Sequence, residues 1–124
     1  MKTKTTTLAS KKKALLARSL LEDKKAEQPL LLDLRKLTLM CDFFVICHGT
    51  SPVNIRGLTD NLLEEFEKHR LKPEGMEGYE NSEWVLVDFG DVVVHIFSEE
   101  SREFYALEKL WGDAPQIIPG EESR

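Results

Sequence analysis

The sequence predicts a small α/β domain. Two stretches rich in aromatic and β-branched residues, 42–48 and 83–97, are typical of strands. Two others, 13–22 and the stretch from residue 52, repeat apolar residues at the three- and four-residue spacing of helices. The 124 residues suit one domain with one continuous core and contain no internal repeat. The predicted order is α-β-β-α-β-β-α.

The first elements are a helix and two strands. Leu16 and Leu20, four residues apart, indicate a short amphipathic helix over 13–22. Residues 30–35 predict a strand, and residues 42–48 predict a second strand that is buried at the centre of the sheet.

The second helix carries its own start signal. Ser51 suits the N-cap, and Pro52 suits the first helical position, where no N–H is needed. The residues predicted to form the buried face are Ile55, Leu58, Leu62 and Phe66. Beyond this helix, residues 73–78 contain one proline and two glycines and predict a loop.

The two strands within 83–97 predict a hairpin, because the chain between them is very short. If Phe89 and Gly90 form a two-residue loop, Asp88 lies opposite Asp91. The remaining pairs in this register are Leu86 with Val93 and Trp84 with His95.

Alternation along the hairpin divides its side chains between two faces. The wholly apolar face is predicted to pack against helices and holds Val85, Val87, Val92, Val94 and Ile96. The other face, called the mixed face below, holds Trp84, Leu86, Asp88, Asp91, Val93, His95 and Phe97. Either the last helix covers its apolar half and leaves the aspartates in solvent, or the face binds a protein. In the second case Trp84 is the anchor and the two aspartates meet a basic partner.

The last helix is predicted to begin after Ser98, with Glu99 and Glu100 in its first turn. Its apolar stripe is predicted to contain Phe104, Leu107 and Trp111, and Gly112 to end it.

Charge and composition suggest where the protein acts. Residues 1–12 predict a disordered basic leader, 13–113 the folded domain, and 114–124 a flexible tail. The first thirteen residues hold five lysines and no acid, so the remainder carries a net charge of −10. Such a body disfavours nucleic acid and suits either simple solubility or a basic protein partner. We expect no membrane span and no secretory signal, and we expect a cytoplasmic location with reduced cysteines.

Enzymatic constellations are weak. The three histidines lack the helical spacing of a zinc site, and a triad of Ser51, His95 and Asp88 lacks the usual glycine-rich elbow. The strongest enzymatic alternative is nucleotidyl transfer, because Gly49-Thr50-Ser51 precedes a helix N-terminus, where phosphate can bind. Magnesium would then need Asp88 and Asp91, which lie across a turn rather than on one strand.

Four blocks of the chain resemble the RsfS/Iojap family of ribosomal silencing factors. They are Asp42-Phe-Phe-Val-Ile-Cys-His-Gly-Thr-Ser51, Glu77-Gly78, Trp84-Val-Leu-Val-Asp-Phe-Gly-Asp-Val-Val-Val-His95 and Arg102-Glu-Phe-Tyr105-Ala-Leu-Glu-Lys-Leu-Trp111. The resemblance runs from about Asp33 to Asp113. One departure is Asn54, where relatives often carry Gln or His.

This resemblance implies a mixed-sheet α/β fold related to nucleotidyltransferases but without their catalytic carboxylates. It also implies a protein that is not an enzyme and needs no cofactor or metal. Its partner would be the large ribosomal subunit, bound through ribosomal protein L-fourteen. Docking there would block subunit association and repress translation when nutrients are scarce, while organellar relatives serve large-subunit assembly. We add Glu77 and Tyr79 to the mixed face as predicted docking residues and leave open a homodimer through a sheet edge or that face.

Overall fold

The computed structural model describes residues 9–119 as one five-stranded sheet with helices on both sides. In chain order the elements are α1 (Ser10–Asp23), β1 (Glu27–Asp33), β2 (Phe43–Gly49), α2 (Pro52–Lys68), β3 (Gly75–Glu77), β4 (Trp84–Asp88), β5 (Val92–Ser98), α3 (Glu99–Tyr105) and α4 (Leu107–Leu110). Within this part of the chain, no helix is long and apolar enough to cross a membrane.

The sheet is mixed, as predicted. Its strand order is β1-β2-β5-β4-β3, in which β2 and β5 run parallel and the other neighbours run antiparallel. The long connection from β2 through α2 and the hairpin makes the parallel pairing possible. The likeness to nucleotidyltransferases stays a prediction.

One face of the sheet packs on α1 and α2 and forms the main core. The five residues of the predicted apolar face of the hairpin are all fully buried there. So is the predicted stripe of α2, and Ser51 Oγ accepts the Asn54 N–H at 3.0 Å as its N-cap. In α1, the fully buried contacts come from Ala14, Ala17 and Leu21, while Leu16 and Leu20 are only partly buried.

The hairpin register differs from the predicted one by two residues. Asp88 pairs with Val93, and Trp84 pairs with Phe97. The two-residue loop is wrong because Phe89 is drawn inward: its ring lies 4.5 Å from that of Phe66 and its N–H donates to the Val92 carbonyl. A shift of two residues keeps each side chain of the strands on its predicted face.

The last helix is broken where a continuous one was predicted. Ala106 has a left-handed backbone (φ 47°), which ends α3 and redirects the chain into the four-residue α4. Ser98 caps α3 as predicted, and Leu107 is buried. Phe104 is 80% exposed, so the predicted stripe is wrong at that residue.

Other parts of the chain also differ from the prediction. The segment 73–78 contains a short edge strand, β3, which pairs with β4. The first helix begins at Ser10, so the end of the predicted leader is helical, while residues 1–8 lie outside the described part. Beyond Ala114, backbone hydrogen bonds from Asp33 to Pro115 and from Ile117 to Leu31 place the start of the predicted tail beside β1. Residues 120–124 also lie outside the described part.

Candidate functional site

The mixed face is built by alternate residues of β2, β5 and β4 on the side of the sheet away from α1 and α2. On β4 and β5, the side chains of Trp84, Leu86, Asp88 and Val93 are half-buried. His95 and Phe97 lie deeper and are 3% and 0% exposed. Most of the predicted docking face is therefore assembled, but its two central rings are not accessible from outside.

Trp84 lies at the centre of an aromatic cluster. Its ring centroid is 4.9 Å from that of Phe97, 4.8 Å from that of Tyr105 and 5.9 Å from that of His95. These contacts hold Trp84 in one orientation while leaving part of the ring exposed, as a preformed anchor requires.

His95 accepts a hydrogen bond from Trp84 within this cluster. The Trp84 indole N–H donates to Nδ1 of His95 at 3.1 Å, so Nδ1 carries no proton. Burial lowers the pKa of His95 to about 3, which keeps the ring neutral at physiological pH. The single ring proton then resides on Nε2, which is buried and has no hydrogen-bond partner among the described residues.

The two predicted aspartates have different environments. Asp88 is half-buried, and its Oδ1 accepts the Gly90 N–H at 2.7 Å. Asp91 is 6% exposed and forms a 2.7 Å ion pair with Lys13 of α1. The prediction that Asp91 faces Asp88 and awaits an outside cation is wrong, because α1 supplies that cation from within the fold.

Glu77 and Tyr79 separate in the structure. Glu77 is exposed and pairs with Leu86, so it lies on the mixed-face side of the sheet. The Tyr79 hydroxyl donates to Asp60 of α2 at 2.9 Å, and this bond raises the pKa of the tyrosine. Tyr79 is therefore held by α2 rather than by the mixed face.

Sequence reasoning missed several residues that border the mixed face. The Phe44 ring lies edge-on to His95 at 4.5 Å and to Trp111 at 5.7 Å. Alternation along β2 could have placed Phe44 on this face. Met40, which is 87% exposed in the segment after β1, lines the same surface hollow as Leu86 and Val93, and no periodic signal marks it.

The residues considered for an enzymatic site make hydrogen bonds or charge contacts within the fold. Ser51 caps α2, and the Thr50 N–H donates to the Asn54 side chain at 2.9 Å, so the turn before α2 is bonded internally. His48 Nδ1 lies 3.0 Å from Arg102, and burial together with that guanidinium lowers the pKa of His48. In residues 9–119, no group of three or more His, Cys, Asp or Glu side chains is placed to hold a metal ion.

Comparison with known proteins identifies the family. The model of the family described as "Ribosomal silencing factor during starvation" matches residues 7–124. The chain is 44% identical to the ribosomal silencing factor RsfS of Halalkalibacterium halodurans, over 82% of this chain and 87% of that one. The corresponding factor of Bacillus subtilis is 42% identical, over 81% and 85%.

More distant relatives and solved structures agree in sequence and fold. A crystal structure from Chromobacterium violaceum superposes with a TM-score of 0.82 at 34% identity, covering 85% of this chain and 88% of that one. A mouse protein named "Mitochondrial assembly of ribosomal large subunit protein 1" is 36% identical over 56% of this chain, which corresponds to 32% of its own length. The family match extends well beyond the limits of 33–113 inferred from motifs, and this chain belongs to the RsfS family of ribosomal silencing factors.

Proposed function

We propose that this protein binds the large ribosomal subunit in the cytoplasm, through ribosomal protein L-fourteen, and blocks association of the subunits by occupying their interface. The mixed face is the proposed docking surface, and the observation that carries the proposal is the half-buried, rigidly held Trp84 on it. Family membership supports the ribosome as target.

Exposed apolar residues extend this surface on two sides. Met40, in the segment after β1, is exposed beside Leu86 and Val93, and Tyr105 of α3 is 50% exposed beside Trp84. Large apolar side chains that stay exposed next to a packed aromatic cluster are typical of protein-binding surfaces.

The polar edge of the same face is acidic. Asp88 and the exposed Glu74 and Glu77 lie at or beside β3 and β4. Acidic groups around an apolar centre favour a basic protein as partner and repel a phosphate backbone. Binding of this kind excludes the other subunit sterically, so the proposed mechanism needs no enzymatic activity, cofactor or metal.

A role in large-subunit assembly is the second candidate. The name of the mouse relative favours it. Both candidates need docking on the large subunit and differ in whether mature subunits are the target. A homodimer that used the mixed face would compete with either role.

The test is co-sedimentation with isolated large subunits, followed by a subunit-joining assay with small subunits added. We expect the wild-type chain to co-sediment and to reduce joining. Trp84→Ala removes the anchor, and its affinity should fall by at least tenfold, in line with a loss of about 2 kcal/mol for a central aromatic residue.

Two further variants keep this test decisive. Val53→Ala changes an exposed apolar residue of α2, 73% exposed and on the other side of the sheet, and should bind like wild type. Leu86→Lys places a cation on the mixed face and should weaken binding even if Trp84→Ala is unstable. Failure of the wild-type chain to co-sediment would disprove the proposal. Binding without any effect on joining of mature subunits would favour the assembly role.

A further inference from the structure

The end of α3 presents two aromatic rings at the surface. Phe104 is 80% exposed, and its ring meets that of Tyr105 edge to face at a centroid distance of 5.0 Å. An edge-to-face contact occupies at most one face of the Phe104 ring, so the other face is open. Tyr105 in turn lies 4.8 Å from the ring of Trp84. The exposed phenyl ring is therefore the outer end of a row of aromatic contacts that begins at the proposed anchor.

Three carboxylates share this part of the surface. Glu83, Glu100 and Glu103 line one depression together with the two rings of α3. The Ser98 N–H donates to the Glu83 carbonyl at 2.9 Å, which holds Glu83 beside the start of α3. All three side chains are exposed, and within residues 9–119 none of them forms an ion pair or a hydrogen bond. Glu100 and Glu103 are three apart on a helix, so their like charges lie close enough to repel each other.

Charge decides which partner suits this surface. A phosphate backbone would be repelled by three unpaired carboxylates. In a symmetric contact between two copies of this chain, the same surface would meet itself, and the carboxylates of one copy would lie against those of the other. A cationic side chain meets neither difficulty, because it is attracted both to the carboxylates and to the face of an aromatic ring.

We propose that this surface binds an arginine or lysine side chain of the ribosomal partner. It is called the α3 patch below and consists of Glu83, Glu100, Glu103, Phe104 and Tyr105. The cation lies over the open face of Phe104 with Glu100 and Glu103 around it, and it relieves the repulsion between these two glutamates. The inference rests on the proposed function and adds to it a second contact, separate from Trp84, with a stated partner chemistry.

The test of the ring measures Kd for isolated large subunits. Phe104→Ala removes the ring and should raise Kd about fivefold, whereas Phe104→Tyr keeps it and should stay within about twofold of wild type. Phe104→Leu keeps apolar bulk without an aromatic face and should raise Kd about threefold. Val53→Ala, an exposed position of α2 on the other side of the sheet, should leave Kd unchanged.

The carboxylates are tested with a matched pair of double variants. Glu100→Gln combined with Glu103→Gln removes two charges from the α3 patch and should raise Kd about fivefold at low salt. Glu64→Gln combined with Glu67→Gln removes two exposed carboxylates at the same spacing on α2 and should change Kd by less than about twofold. Both double variants change the net charge equally, so a difference between them reports where the carboxylates lie.

Failure of this inference is distinct from failure of the proposed docking. If the wild-type chain binds and either Phe104→Ala or the Glu100 and Glu103 double variant binds as tightly, the inference fails, while docking through Trp84 stands. Equal binding by Phe104→Leu and wild type would overturn the cation and leave an apolar contact. Sedimentation equilibrium tests the other occupant: a dimer that Phe104→Ala dissociates, with Kd for large subunits unchanged, would assign the patch to a second copy. A wild-type chain that fails to bind large subunits removes both proposals.

Discussion

His95 couples the stability of the fold to pH. The unfolded chain has a histidine pKa near 6.5, and burial lowers the folded pKa to about 3. Between these values the unfolded state binds a proton that the native state does not, so stability rises with pH in this window and is lost as pH falls. The His95 contribution should change by up to about 1.4 kcal/mol per pH unit.

Urea unfolding at pH 7, 6, 5 and 4 measures this slope. In His95→Gln the pH dependence of stability that comes from His95 should vanish. The smaller pH dependence from His48, whose pKa is also lowered, should remain and has the same direction. Parallel pH profiles for wild type and His95→Gln would contradict the assignment.

The sequence predicted the site residues correctly where alternation along a strand is enough to assign a side chain to one face of the sheet. Trp84, Leu86 and Val93 are on the predicted face because side chains of a strand alternate. Asp91 was not predictable, because its partner Lys13 lies 78 residues away in the chain and no local pattern links α1 to the hairpin. The position of Tyr79 was not predictable for the same reason, since its hydroxyl donates a hydrogen bond to a residue of α2.

At the scale of elements, the break between α3 and α4 depends on one backbone conformation. Ala106 has φ 47° and ψ 49°, a left-handed region that costs a residue with a Cβ about 1 kcal/mol. Ala106→Gly should therefore raise the free energy of unfolding by about 0.5–1 kcal/mol. Ala17→Gly, in the buried middle of α1, should lower it by at least as much. Urea denaturation distinguishes the two, and a loss of stability in Ala106→Gly would contradict this account.

The order of the main elements was predictable from local patterns, whereas their connections were not. Ser51 and the stripe of α2 are local signals, and the structure confirms both. The hairpin register depends on Phe89, which packs against Phe66 from a distant helix. The short strand β3 has no hydrophobic pattern, because its three residues are exposed and it exists only through pairing with β4.

For the whole molecule, the sheet separates stability from recognition. One face is closed by α1 and α2 over fully buried aliphatic residues. The other is covered only in part, by α3, α4 and the segment after β1, and leaves Met40, Trp84 and Tyr105 at least partly exposed. Substitutions of the half-buried residues of the mixed face should therefore affect binding more than folding, and substitutions on the closed face should do the reverse.

The distribution of charge predicts how the protein meets its partner. The net charge is −5 although five lysines occupy the first thirteen residues, so the rest of the surface is strongly acidic. Association with a basic ribosomal protein should be steered electrostatically, and its rate should fall as salt rises from 50 to 300 mM.

Asp88→Lys should slow association several-fold at low salt and flatten the salt dependence. Glu64→Lys makes the same change in net charge on the exposed side of α2, on the closed face of the sheet, and should alter the rate much less. Stopped-flow or surface-based kinetics with isolated large subunits measures the association rates of both variants. Equal effects of the two variants would mean that net charge, rather than the acidic edge of the mixed face, guides the encounter.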